Sequence, residues 1–211
     1  MNSTKRNTII DLTKPLDQLF TPFTNGQYSD PPLEISEWSS ISRQGFYVYS
    51  LSLGTQTGTH IDAPAHFLEE GASLEALAPD QLIGNYFLMD LTQDPLSPDI
   101  AKRLAEYRQE KMLFLRTPEN ITSRLSPEAL RRILSLPPVL WVLSGEIEIE
   151  RSAPFEFHRL MAGAGKYLVE DLDQEAAHRI AAGGELFVLP LRLIGVSGSP
   201  CRVMVRTDER K

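Results

Sequence analysis

Five side chains in this sequence have the types and spacing for metal-assisted acid–base chemistry: His60, Asp62, His66, His158 and Glu170. The chain has 4 histidines, and His60 and His66 flank Asp62 within one short segment. His158 lies shortly before Glu170. Imidazoles and carboxylates together are the ligand set for Zn, Mn or Fe(II). An imidazole left outside such a set can carry a proton, because its unperturbed pKa of roughly 6.5 lies near working pH. The same spacing also fits a hydrogen-bonded His–Asp pair in an ordered turn, so both readings stand open on spacing alone. Pro64 stiffens the segment and Gly58 permits backbone geometry closed to other residues. His178 sits in a helical run and reads as an ordinary structural residue.

The elements that must position these groups follow from periodicity. Residues 8–12 read as a first short strand, and the alternating β-formers of 46–53 as another. Between them, residues 14–44 are rich in Pro, Ser, Thr and aromatics and have no clean period. An irregular segment that long is usually functional or an interface arm. Residues 54–66, with their Thr, Gly, Pro and His, read as a loop leaving the strand before them. Strands are expected at 86–91, 112–115, 139–143, 166–170, 185–191 and 201–206. Ser97-Pro98-Asp99 and Ser126-Pro127-Glu128 are helix starts, each a hydroxyl cap followed by Pro in the first turn. The helices they open are expected to reach about 110 and 134. Further helices are expected at 155–162 and 173–182, the last stopped by Gly183-Gly184. Strands and helices alternate through the middle while both ends are rich in strands, which predicts an α/β fold with a mixed sheet.

Bulk properties bound the function. At 211 residues, with 42% hydrophobic and 23% charged side chains, the chain is expected to form one globular domain over 1–211. A net charge of -7 without a basic stripe argues against nucleic acid or an anionic membrane surface as a partner. No apolar run approaches the roughly 20 residues that span a bilayer. The first seven residues include the basic Lys5 and Arg6 but lead into no apolar segment, so no signal peptide is expected. The single cysteine, Cys201, reads as a small buried hydrophobe in a strand. A cytoplasmic location is the expectation. A serine or cysteine hydrolase finds no support: there is no Gly-x-Ser-x-Gly elbow, and Cys201 has no local base.

The string Gly58-Thr59-His60-Ile61-Asp62-Ala63-Pro64-Ala65-His66-Phe67 resembles the signature of the cyclase family of metal-dependent hydrolases, which includes kynurenine formamidases and isatin hydrolases. Other stretches resemble family motifs in the same order. They are Asp11-Leu12-Thr13-Lys14-Pro15-Leu16, Leu115-Arg116-Thr117, His158-Arg159-Leu160, Glu170-Asp171-Leu172, Leu189-Pro190-Leu191 and the run from Gly195 to Pro200. The resemblance implies a swivelling β/β/α cyclase-like fold, assembly as a homodimer or homotetramer, and one or two divalent ions, Zn or Mn. It implies His60, Asp62, His158 and Glu170 as ligands and His66 as proton donor and acceptor. The reaction it implies is hydrolysis of an amide, lactam or lactone of a small molecule by metal-activated water. In relatives an early aromatic shapes the substrate pocket, and Phe20 and Phe23 are the candidates here.

Two departures qualify that expectation. Gln56 stands where the family string begins with a further histidine. A glutamine offers one neutral oxygen, a harder and weaker ligand than imidazole. Three outcomes are open: Gln56 ligates, it stands back and leaves a single-metal site, or metal and activity are lost. The family's Gly-x-Asp-x-x-Ser segment is also missing; Leu143-Ser144-Gly145 here leads into alternating Glu146, Glu148 and Glu150, which read as a solvated strand face. The substrate is therefore expected to differ from N-formylkynurenine. The alternative function is a catalytically impaired ligand-binding or assembly protein on the same fold.

Overall fold

The computed structural model describes residues 7–96 and 98–208; Ser97, the expected first helix cap, and residues 1–6, with the basic Lys5 and Arg6, lie outside the described residues. In chain order the strands are β1 (Asn7–Asp11), β2 (Thr24–Asn25), β3 (Tyr28–Ser29), β4 (Glu34–Ser39), β5 (Val48–Ser52), β6 (His60–Asp62), β7 (Ile83–Asp90), β8 (Met112–Arg116), β9 (Ser123–Leu125), β10 (Leu140–Ser144), β11 (Ile147–Ile149), β12 (Tyr167–Glu170), β13 (Glu185–Pro190) and β14 (Gly198–Asp208). The α-helices are α1 (Ile41–Gln44), α2 (Ile100–Leu104), α3 (Pro127–Leu134), α4 (Glu156–Gly163) and α5 (Gln174–His178).

Seven strands close a barrel-like mixed sheet in the order β14-β13-β7-β8-β10-β12-β6, with β6 pairing back onto β14; β1 adds to β14. The β7–β8, β8–β10 and β10–β12 pairs are parallel and the others antiparallel. The near-continuous apolar runs of β8 and β10 follow from cover on both faces. Met112, Phe114, Leu140 and Val142 enter an inner core with Ile61, Val169, Val188 and Val203. Their neighbours Leu113, Leu115, Trp141 and Leu143 join an outer core with Leu130, Ile133, Phe157 and Met161, supplied by α3 and α4. Ser126 caps α3 by accepting from the Ala129 N–H at 3.1 Å, as its sequence predicts.

The structure corrects several expected boundaries. Residues 54–66 are not all loop: His60–Asp62 forms a buried barrel strand, and Pro64–His66 a short 3-10 turn. Helix α2 starts at a cap supplied by Asp99, whose side chain accepts from the Lys102 N–H, and ends at Leu104 rather than near 110. The chain reverses soon afterwards through a left-handed Gln109 (φ 68°). Helix α5 stops at His178 because Arg116 Nη1 captures the carbonyls of Ala177 and Ile180 at 3.4 and 2.9 Å. The 14–44 segment is structured, containing β2, β3, β4 and α1, and β4 pairs with β5 as an exposed hairpin. Among the described residues no helix is long and apolar enough to cross a membrane.

Candidate functional site

The site is assembled on the outward face of the β6–β12 pair. The antiparallel register sets Glu170 directly opposite His60 and Leu168 opposite Asp62. Side chains alternate along a strand, so His60 and Asp62 share one face while Ile61 between them enters the inner core with no exposed surface. His60 Nε2 lies 3.5 Å from Asp62 Oδ1 and 3.5 Å from Glu170 Oε1. The other ring nitrogen, Nδ1, is 2.7 Å from the Gly58 carbonyl, to which it donates; this bond fixes the ring with Nε2 aimed at the two carboxylates. Gly58 is in the left-handed region (φ 62°), and a Cβ there would stand 2.5 Å from Leu16. Its glycine identity therefore shapes the carbonyl that orients His60.

Helix α4 brings the fourth group. Phe157 and Met161 anchor it in the outer core, and the intervening His158 presents Nε2 to Glu170 Oε2 at 3.0 Å. The Nδ1 atom of His158 is buried and has no hydrogen-bond partner among the described residues. On the other side of the cluster, Gln56 Nε2 lies 3.4 Å from Asp62 Oδ1. His66 sits at the end of the 3-10 turn, exposed, with its ring edge-on to Phe67 at 4.6 Å. Its charge is felt at Asp62.

Burial and mutual charge pull these groups far from solution behaviour. Burial pushes the Asp62 carboxyl up to about 6, aided by the Glu170 charge and opposed by the three imidazoles. Burial also opposes ionisation of Glu170, but hydrogen bonds from His158 and His60 outweigh it and hold that carboxyl well below the usual range. Burial disfavours the His60 imidazolium, yet the Glu170 hydrogen bond and the two carboxylates raise it to about 9; His158 is raised for similar reasons. Among the described residues only imidazoles pair with Asp62 and Glu170; no Lys or Arg does. Ligand atoms of His60, Asp62 and Glu170 all lie within 4.8 Å of one another. This is a mixed N/O donor set with buried negative charge, which fits a divalent ion of the Zn, Mn or Fe(II) kind.

His60, His158 and Glu170 lie in the wall of a cavity of about 990 Å³, with Asp62 buried against His60. Phe20 and Phe23, the early-loop candidates, both line it, and Phe23 meets Phe155 edge-on at 6.1 Å. Two aromatics that sequence reasoning did not single out complete the wall. Phe67 stacks on the His158 ring at 5.1 Å, and Phe155 takes a left-handed conformation (φ 63°) at the start of α4 to face the same ring at 6.0 Å. The available signal was their adjacency to functional histidines: Phe67 follows His66, and Phe155 precedes His158. The Glu146–Glu148 stretch lines the far side, with Ile147 and Ile149 turned into the protein and Glu148 exposed, as its alternation implied. His178 lies on α5 with Nδ1 2.9 Å from the Gln174 carbonyl, and Cys201 is buried in the inner core as its strand pattern implies, where burial pushes its thiol up to about 12.

Comparisons with known proteins agree with this geometry. The Cyclase family model matches residues 10–137. A kynurenine formamidase from Bacillus thuringiensis (strain Al Hakam) is 27% identical over 208 residues, covering 93% of this chain and 96% of its own. The solved structure of isatin hydrolase A from Labrenzia aggregata, bound to benzyl benzoate, superposes with a TM-score of 0.80 at 22% identity, over 96% of this chain and 94% of that one. That of a predicted metal-dependent hydrolase from Bacillus stearothermophilus gives 0.70 at 21% identity, over 95% and 98%. With its matched model, its closed mixed sheet and its outward-facing His–Asp–Glu cluster, the chain belongs to the cyclase family.

Proposed function

We propose that this protein is a metal-dependent hydrolase that opens an acyl C–N or C–O bond, in an amide, lactam or lactone, of a small aromatic or cyclic substrate. The observation that carries the reading is the convergence of His60, Glu170 and His158 at one wall of an aromatic-lined cavity, with Asp62 buried against His60. His60, Asp62, Glu170 and His158 would hold the ion, Zn or Mn by donor type. When bound, a divalent ion supplies Lewis acidity toward a carbonyl and acidifies water. The protein's own residues do the rest. Phe20, Phe23, Phe67 and Phe155 bind and orient a flat apolar substrate and exclude water. The exposed imidazole of His66 makes no hydrogen bond to a described side chain, so it is free to take a proton from the attacking water and deliver it to the leaving nitrogen or oxygen.

The relatives named a formamidase and an isatin hydrolase support an aryl formamide or lactam as the first substrates to try. The missing Gly-x-Asp-x-x-Ser segment supports a substrate other than N-formylkynurenine. A soluble cytoplasmic homodimer or homotetramer completes the proposal, supported by the apolar residues that the β4–β5 hairpin leaves exposed. The test is hydrolysis of an aryl amide, lactam and lactone panel by protein loaded with Zn or Mn. Turnover that disappears with a chelator and in His66→Ala is expected. An inert panel with metal bound would favour a ligand-binding protein on the same fold, the reading that the Gln56 substitution supports.

A further inference from the structure

Asp62 is flanked by two unlike environments. On one side stand His60, Glu170 and, behind Glu170, His158. Gln56, itself held by the neutral groups Thr55 and Ser197, reaches the same Asp62 oxygen, Oδ1, that faces His60. The Gln56 amide is held at both ends. Thr55 Oγ1 donates to Gln56 Oε1 at 2.6 Å, and Gln56 Nε2 reaches Asp62 Oδ1 at 3.4 Å and Ser197 Oγ at 3.5 Å. Reversing the amide would set its oxygen against a carboxylate oxygen, so the donor orientation is the favoured one. Gly198, paired with Asp62 across the β6–β14 ladder, leaves the room this requires. A Cβ there would stand 2.6 Å from Gln56 Nε2.

Divalent transition ions are held by imidazole, thiolate and carboxylate, and a site of neutral oxygens beside one shared carboxylate is poor by comparison. Among the described residues, His60, Asp62 and Glu170 form the group with three such donor atoms close together. A carboxylate oxygen has two lone pairs, so the Gln56 hydrogen bond to Oδ1 turns and fixes Asp62 while leaving it able to ligate beside His60, as partners behind the ligands of metal sites commonly do. Resting on the metal-hydrolase reading above, we propose that the site takes one divalent ion, on the His60 side of Asp62. Gln56 is a positioning residue that orients Asp62 toward that ion and is not itself a ligand.

The experiment equilibrates the whole protein and Gln56→Ala with excess zinc sulfate, removes free metal, and measures zinc per chain by plasma mass spectrometry. One ion per chain is expected for both. Competition with a chromophoric chelator is expected to show zinc held about 10–100-fold more weakly by Gln56→Ala. The visible spectrum of the cobalt-loaded protein is expected to be the same in both, because no ligand is lost. Two zinc ions per chain in the unmodified protein overturn the single-ion inference while leaving the metal-hydrolase reading intact. An unchanged affinity, or a cobalt spectrum altered by Gln56→Ala, overturns the positioning role. No zinc at all sinks the metal-hydrolase reading, and this inference with it.

Discussion

Two antiparallel strand pairs in this molecule invert the usual relation between polarity and burial. In the β6–β12 pair, His60 and Asp62 are buried together with Ile61. In the β4–β5 pair, every residue except Ser39 is exposed, including Ile35, Trp38, Val48, Tyr49 and Leu51. Burying carboxylates and imidazoles is costly unless they neutralise one another or hold an ion. Exposing a contiguous run of large apolar side chains is equally unusual and marks a surface that meets another molecule. Each inversion is what the proposed function would compensate: the barrel pair by the proposed ion, the hairpin by the proposed self-association. Both are places where a free-standing chain leaves something uncompensated.

Substitutions in the two strand pairs have separable effects. Asp62→Ala should have the largest effect, removing bound metal and reducing hydrolysis to background. His66→Ala should lower kcat by about 10²–10⁴-fold, the usual span for a lost general acid–base, while metal content stays unchanged. A fall in metal content would instead make His66 a ligand. Ile61→Ala tests the buried side of the same strand. It removes a fully buried inner-core side chain, and urea unfolding should report a loss of about 2–5 kcal/mol.

Arg116 sets a smaller effect. Its guanidinium ties Asp90 to the carbonyls that end α5. Arg116→Ala should cost about 1.5 kcal/mol, at the low end for charge-assisted hydrogen bonds because Asp90 is a third exposed. Burial raises the Asp90 carboxyl, but the Arg116 hydrogen bond outweighs it and the net shift is downward. A depressed carboxylate stabilises the fold above its ordinary value of 3.8, and that contribution is lost as pH falls through the lower folded value. Acid unfolding of Arg116→Ala should therefore be less steep at the low-pH end than that of the unmodified protein. The smallest change belongs to the hairpin. Leu51→Ser should alter protomer unfolding by no more than about 0.5 kcal/mol, because Leu51 is 62% exposed, yet should weaken self-association in sedimentation runs.

The contrast also explains what could be read without coordinates. The apolar runs at 112–115 and 139–143 announced buried strands because both of their faces are covered. The capping serine at 126 announced α3 because its hydrogen bond is local. Strand β6 was hidden because its polar residues look like a loop when the pairing that buries them comes from Glu170 and Gly198, far along the chain. The early end of α5 was hidden for the same kind of reason: Arg116, remote in sequence, supplies its stop. At the site, residue types nominated His60, Asp62, His158 and Glu170. Phe155 was invisible because its role depends on a left-handed backbone at a helix start. The inward turn of Gln56 toward Asp62 likewise needed Gly198 as its neighbour.

The central claim is that the buried polar cluster of β6 and β12 is a metal centre. Crystals grown with zinc, measured on both sides of the zinc absorption edge, test it most directly. The account predicts an anomalous peak between His60 Nε2, Asp62 and Glu170. A zinc-loaded crystal with no peak there, and His60 Nε2 still bonded to the carboxylates, would contradict it.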